Sequence, residues 1–265
     1  MIMRPLKKLL WIFWAITMFT APQSAWAKGG SLALKAPSAS PSEWETANAL
    51  YGERNYSRSA QAYASLLTQF PQDPSLHFNL GNALFRQGEL GKALYHYEEA
   101  LVLDPRSPDI RGNRDLTRTQ LRLADLDKRP AWVQWCTDKI SYVRRGELFS
   151  LTLLLYLALL GSSILRFYDP NGWVIFGRRF IFWTLFLVLP VLAFKVYETW
   201  EPEGIVLVSK VEAKYGPASQ EKTAFSLAEG MKVKVAEKRS GWYRIQLPSG
   251  DTGWVTGSSL GILSN

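Results

Sequence analysis

The chain of 265 residues holds one cysteine, Cys136, and two histidines, His77 and His96. One thiol cannot form an intrachain disulfide, nor can it supply the thiolates of a structural zinc cage. Two imidazoles leave most His-centred acid–base chemistry without its parts, and no carboxylate–His–Ser arrangement is evident. The sequence also lacks a basic cluster, although its formal net charge is +8. Residues 1–27 carry three basic and no acidic groups, 28–147 carry 16 and 14, 148–197 carry four and one, and 198–265 carry eight of each. No stretch has the clustered excess that a phosphate-binding face needs, which argues against nucleic acid as a partner. The reading is of a protein that is not an enzyme, with no cofactor and no metal site, whose function lies in binding.

What is present is apolar and segmented. Residues 1–27 run from a basic start (Arg4, Lys7, Lys8) through a short apolar stretch to Ala25-Trp26-Ala27, the form of a cleaved export signal. Residues 28–42, rich in Gly, Ser, Ala and Pro, read as a linker. Two apolar runs lie mid-chain, at 148–165 and 180–194, the second extended as a span over 180–197. The first is apolar all round, as a membrane span is. The second is flanked by Arg178, Arg179 and Lys195, whose side chains can snorkel and extend its effective length. The intervening loop, 166–179, holds three Arg and one Asp and should face the cytoplasm by the positive-inside rule. Both ends of the chain would then lie on the outer, periplasmic side of a bacterial inner membrane. Residues 130–146 place Trp132, Trp135, Cys136, Ile140 and Val143 on one helical stripe. That stripe suits a helix lying on the membrane surface, and it equally suits a face packed on the exported domain.

Residues 43–126 repeat with a period of 34. The shift aligns Asn48 with Asn82, Ala49 with Ala83, Leu50 with Leu84, Tyr63 with Tyr97, Leu67 with Leu101 and Pro71 with Pro105. Helices are expected over 42–54, 57–70, 75–87 and 91–103, with a capping helix, or the first half of a third repeat, over 107–126. The period and the closing prolines resemble the tetratricopeptide repeat. Two repeats bury little core, so another element must cover the exposed end. The resemblance implies a concave peptide-binding groove lined by Trp44, Asn48, Tyr51, Phe78, Asn82, Phe85 and Arg86; the alternative is that these aromatics pack on the capping helix or on lipid. The matched asparagines would bond a ligand backbone. On that reading Asn82→Ala should weaken partner capture without lowering thermal stability. His77 and His96 read as ordinary repeat positions.

After Glu201-Pro202-Glu203 the pattern becomes β. Residues 231–237 alternate strictly, and Trp242–Leu247 alternates up to the turn signal Pro248-Ser249-Gly250-Asp251. Four or five short strands suggest a small barrel. Lys214-Tyr215-Gly216-Pro217, Gly241-Trp242-Tyr243 and Gly253-Trp254-Val255 resemble the bacterial SH3-like domain, here over 203–263, whose members bind peptides, often of the cell wall. Tyr215, Trp242 and Trp254 mark its candidate ligand face, with a core role for the tryptophans as the alternative. Overall, the fold class is a multidomain membrane protein: an all-α tetratricopeptide repeat domain, a two-helix transmembrane hairpin and a small all-β SH3-like barrel. That order of modules resembles the BatE-type membrane proteins of Bacteroides aerotolerance operons. The resemblance implies a scaffold in a stress-tolerance or envelope-protein assembly. Its partners would be von Willebrand A-type membrane proteins, a BatD-like protein and a MoxR-type ATPase, with peptidoglycan (murein) as an alternative ligand.

Overall fold

The computed structural model describes residues 41–123, 130–168, 172–200 and 202–264. The expected export signal and most of the linker lie outside the described residues. The helical region opens with α1 (Pro41–Gly52), α2 (Tyr56–Gln69), α3 (Pro74–Gln87) and α4 (Leu90–Leu103). Local chemistry sets their ends. The Asp73 carboxylate accepts from the backbone N–H groups of Ser75 and Leu76 at 2.8 and 3.3 Å, and Pro74 supplies the first helical turn, so that end is both capped and pre-set in φ. Gly88, at φ +83°, closes α3 in the left-handed conformation that favours glycine. Within each repeat the two helices approach over small residues. Ser59 Oγ donates to the Ala47 carbonyl at 3.0 Å, and a Cβ on Gly81 would stand 2.7 Å from the Tyr97 ring.

Helix α5 (Pro108–Gln120) follows. It stops six residues short of the expected capping helix. Arg122 adopts φ +54°, and the chain turns there, carrying Leu121 and Leu123 off the helix. Both leucines join Leu94 of α4 in a cluster with Ile205, Met231 and Leu263.

The C-terminal region is one seven-stranded antiparallel sheet. Its strands are β1 (Glu203–Val206), β2 (Val211–Lys214), β3 (Thr223–Leu227), β4 (Lys232–Arg239), β5 (Trp242–Gln246), β6 (Thr252–Thr256) and β7 (Leu260–Ile262). Their order is β3-β2-β6-β5-β4-β1-β7. Alternation puts Val233 and Val235 inside and Lys232 and Lys234 outside on β4, as a sheet with one buried face requires. The sheet wraps one core that includes Val206, Val211, Leu227, Val233, Ile245 and Val255. Shifts of register between Val235 and Glu237 and between Ala213 and Lys214 provide the bends such wrapping needs.

Between these regions stand α6 (Ala131–Ser141), α7 (Arg145–Tyr168) and α8 (Gly172–Trp200). Gly146–Tyr168 and Gly172–Tyr197, of 23 and 26 residues, are long and apolar enough to cross a membrane. They are about 35 and 39 Å long at about 1.5 Å per residue, against a hydrocarbon core of about 30 Å. Both helices outrun the expected spans. Arg166 stays helical at the end of α7, and Arg178 and Arg179 lie within α8 instead of in a loop. Pro190 sits inside α8, a position that a membrane-spanning helix can tolerate.

The helical repeats and the sheet do not stand apart. The Glu229 carboxylate accepts from the Gly91 N–H at 2.7 Å. Glu99, buried on α4, accepts from the Ser264 N–H at 2.7 Å and from the Ser264 hydroxyl. Lys232 bridges Glu203 at 3.0 Å and Glu98 at 3.8 Å. Glycine makes the contact possible on both sides. A Cβ on Gly91 would lie 2.7 Å from the Leu207 carbonyl oxygen, and one on Gly230, at φ +77°, would lie 2.6 Å from Leu121. The end of the second repeat, where a third would stack, is covered by α5 and the SH3-like sheet.

Candidate functional site

The groove residues are set by a contact that each repeat makes in the same way. The Tyr63 hydroxyl donates to Asn48 Oδ1 at 2.6 Å, and 34 residues on the Tyr97 hydroxyl donates to Asn82 Oδ1 at 2.8 Å. Burial raises the pKa of both tyrosines, that of Tyr63 to about 12, so both remain donors throughout the physiological range. In the second repeat Asn113 of α5 adds a donor to the same Asn82 oxygen at 2.7 Å. Tyr51, Asn82, Phe85, Arg86, Tyr97, Asn113 and Leu116 enclose a cleft of about 160 Å³. Arg86 reaches back to the first repeat, donating to the Tyr56 hydroxyl through Nε at 3.2 Å and Nη2 at 3.1 Å. Tyr56 packs edge-on to Tyr51 with ring centroids 5.3 Å apart.

Four of the seven expected groove residues therefore line one cleft, Asn48 stands beside its own tyrosine, and two are corrected. Trp44 and Phe78 are only 5% and 1% exposed. Trp44 packs edge-on to Tyr63 at 5.8 Å and Phe78 against Tyr97 at 6.0 Å. Large rings at these positions fill the gap between paired helices and are not offered to a ligand. The expectation that Asn82→Ala would spare stability is also revised. Its loss would leave the Tyr97 hydroxyl and the Asn113 amide without their acceptor, a cost of about 1 kcal/mol or more. Residue-by-residue matching missed Asn113 and Leu116. The signal was there, because Leu116 lies one 34-residue period beyond Asn82, on a helix with a very different sequence.

On the SH3-like sheet, Tyr215 is 70% exposed. Its neighbour Lys214 is occupied, donating through Nζ to the carbonyls of Ser219 and Glu221 at 2.5 and 3.3 Å and so tying down the loop between them. Trp242 is half-buried, opposite Arg239 and Thr256. Trp254 is buried, opposite Lys214 and Arg244, and belongs more to the packing of the sheet than to an open face.

The two histidines meet between α3 and α4. His77 Nε2 lies 3.1 Å from the Pro71 carbonyl, which can only accept, so that nitrogen carries the proton. With both rings neutral, His77 Nδ1 then accepts from His96 Nδ1 at 3.2 Å. Burial, with His77 beside it, pushes the His96 pKa down to about 3. Among the described residues no three His, Cys, Asp or Glu side chains gather to hold a metal ion.

Residues 45–108 match the family model described as tetratricopeptide repeat, and residues 216–261 match that of the bacterial SH3 domain. No curated protein matches the chain. Both families are typically binding modules. The chain joins a tetratricopeptide repeat unit and a bacterial SH3-like sheet, placed on either side of two helices long and apolar enough to cross a membrane.

Proposed function

We propose that the protein is a non-enzymatic scaffold of the bacterial inner membrane that holds a peptide segment of an envelope protein in the repeat cleft. The open cleft beside Asn82 carries this reading: aromatic walls from Tyr51 and Phe85, a cation from Arg86, amides from Asn82 and Asn113 and an apolar rim at Leu116. Such a mixture suits an extended backbone with one apolar and one acidic side chain. The packing of sheet on repeats supports a single side for both modules, since chains that touch cannot be separated by a bilayer. The arginines at the opposite end of the hairpin, Arg166, Arg178 and Arg179, favour the cytoplasm for that end. The order of modules favours a Bat-type stress-tolerance or envelope-protein assembly, with von Willebrand A-type, BatD-like and MoxR-type proteins as partners.

A photo-crosslinking residue placed at Leu116, which is 54% exposed, tests this in intact cells. Identified adducts should be envelope proteins, and Phe85→Ser should abolish them. A Leu116 probe that yields no Phe85-dependent adduct overturns the reading. The bacterial SH3 match and the exposed Tyr215 favour a second reading, a cell-wall-binding accessory of murein synthesis or envelope sensing. Co-sedimentation of the solubilised chain with murein, lost in Tyr215→Ser, would establish it.

A further inference from the structure

Helix α6 presents two large aromatic side chains that nothing in the described structure covers. Trp132 and Trp135, one turn apart, are 71% and 62% exposed. Beside them Lys139 Nζ lies 5.9 Å from the centre of the Trp135 ring and 5.7 Å from that of Tyr142. A cation among amphipathic rings is the side-chain set that proteins place where hydrocarbon meets phosphate.

The helix is not loosely tethered. The Arg111 guanidinium lies 3.5 Å from the centre of the Tyr142 ring, and Arg111 Nη2 donates to Ser141 Oγ at 3.3 Å. Arg106 donates to the Tyr142 carbonyl at 3.3 Å and pairs with Glu147, in the first turn of α7, at 2.6 Å. Arg144 pairs with Asp104 at 3.4 Å. The C-terminal end of α6 is thus fastened both to the repeat domain and to the mouth of the first candidate span. Tyr142, Val143 and Arg144 alone separate α6 from α7, and a three-residue connection reaches only about 10 Å. Phe149 and Leu153, in the first turns of α7, are exposed as well.

We propose that α6 lies in the phospholipid headgroup layer at the exported end of the hairpin. Trp132 and Trp135 enter the acyl boundary and Lys139 meets lipid phosphates. The ion pairs from Arg106 and Arg144 then hold the repeat domain down on the bilayer, which gives its cleft a fixed height and tilt above the membrane. This rests on α7 and α8 spanning the membrane, and the test separates the two statements.

Cys136, the only cysteine, follows Trp135 directly and serves as a native probe. The full chain is reconstituted into vesicles of phosphatidylethanolamine and phosphatidylglycerol, and Cys136 carries a nitroxide. Collision with a water-soluble nickel complex should be several-fold lower than for a label at Gln220→Cys, an exposed loop site of the sheet, in a Cys136→Ser background. The pair Trp132→Ser with Trp135→Ser should raise the Cys136 label toward the Gln220 value. Because both side chains are exposed, the pair should leave the thermal melt unchanged. Emission from unlabelled chain supplies a second measurement: brominated acyl chains should quench it less once Trp132→Phe and Trp135→Phe are introduced. A Cys136 label as open to nickel as the control, together with unaltered bromine quenching, in chain that resists alkaline extraction overturns the inference and leaves the spans standing. Chain that is stripped from the vesicles by alkali overturns both.

Discussion

The first and second repeats carry the same parts and lead different lives. Trp44, Asn48 and Tyr63 recur as Phe78, Asn82 and Tyr97, with the same hydroxyl-to-amide bond in each. Yet on the outer face of the second helix the two diverge. Ser57, Gln61 and Ser65 are exposed, whereas Gly91, Tyr95 and Glu99, one period later, all meet the SH3-like sheet. A repeat copied for its internal packing keeps the residues that face inward. The residues that face outward are free to be shaped by whatever stacks on them. Here the neighbour is a β domain standing where a third repeat is usual.

Substitutions at matched positions can break or sharpen this contrast. Gly91→Val should be the most damaging, because the new side chain would meet the Val206 and Leu207 carbonyl oxygens, which are backbone and cannot step aside. The full chain in detergent should lose about 3 kcal/mol in a denaturant titration, while Ser57→Val should stay within about 0.5 kcal/mol. Equal losses at the two positions would mean that the sheet does not dock. Glu99→Ala comes next, since it strips a buried acceptor from the Ser264 N–H. About 2 kcal/mol should go, with faster proteolysis after Leu263, against no measurable change for Ser65→Ala.

A smaller difference separates the asparagines. Asn82→Ala orphans two donors and should cost about 1.5 kcal/mol, while Asn48→Ala orphans one and should cost about 0.7 kcal/mol. Thermal melts of the two variants side by side would show the gap. The least effect at neutrality is that of the histidine pair, which has no counterpart in the first repeat, where Glu43 and Ala62 occupy the matched positions. The His96 pKa is about 3 in the fold, below its ordinary 6.5. The unfolded chain therefore takes up the proton first as pH falls. Neutral His96 contributes fully above pH 6.5, and its contribution drains away as pH falls from there toward 3. The melting temperature should decline between pH 6.5 and 5, and His96→Leu should flatten that decline.

Legibility followed the range of the interaction. The 34-residue period, the Asp73-Pro74 start and the Gly88 stop are written in neighbouring residues, and so is the alternation of β4. The cleft was half legible, because Tyr51 and Phe85 match across the period, as Asn82 matches Asn48, and Arg86 follows Phe85 directly, but Asn113 and Leu116 come from a helix that does not repeat it. Trp44 and Phe78 take the packing alternative and not the groove, because a matched repeat position does not say which way a ring is turned. Leu121 and Leu123 looked like the end of a capping helix, since nothing nearby announces that the chain turns at Arg122.

By itself the sequence determined the modules and their order: helical repeats, apolar helices and a small β domain, each specified by short-range pattern and by burial of its own apolar face. The tertiary structure alone decided that repeats and sheet share a surface. Gly91 meets Glu229 across 138 positions and Glu99 meets Ser264 across 165. Contacts of that separation leave no periodic trace. A glycine and a glutamate on a helix surface look like solvent-facing residues until another domain arrives to exclude the water.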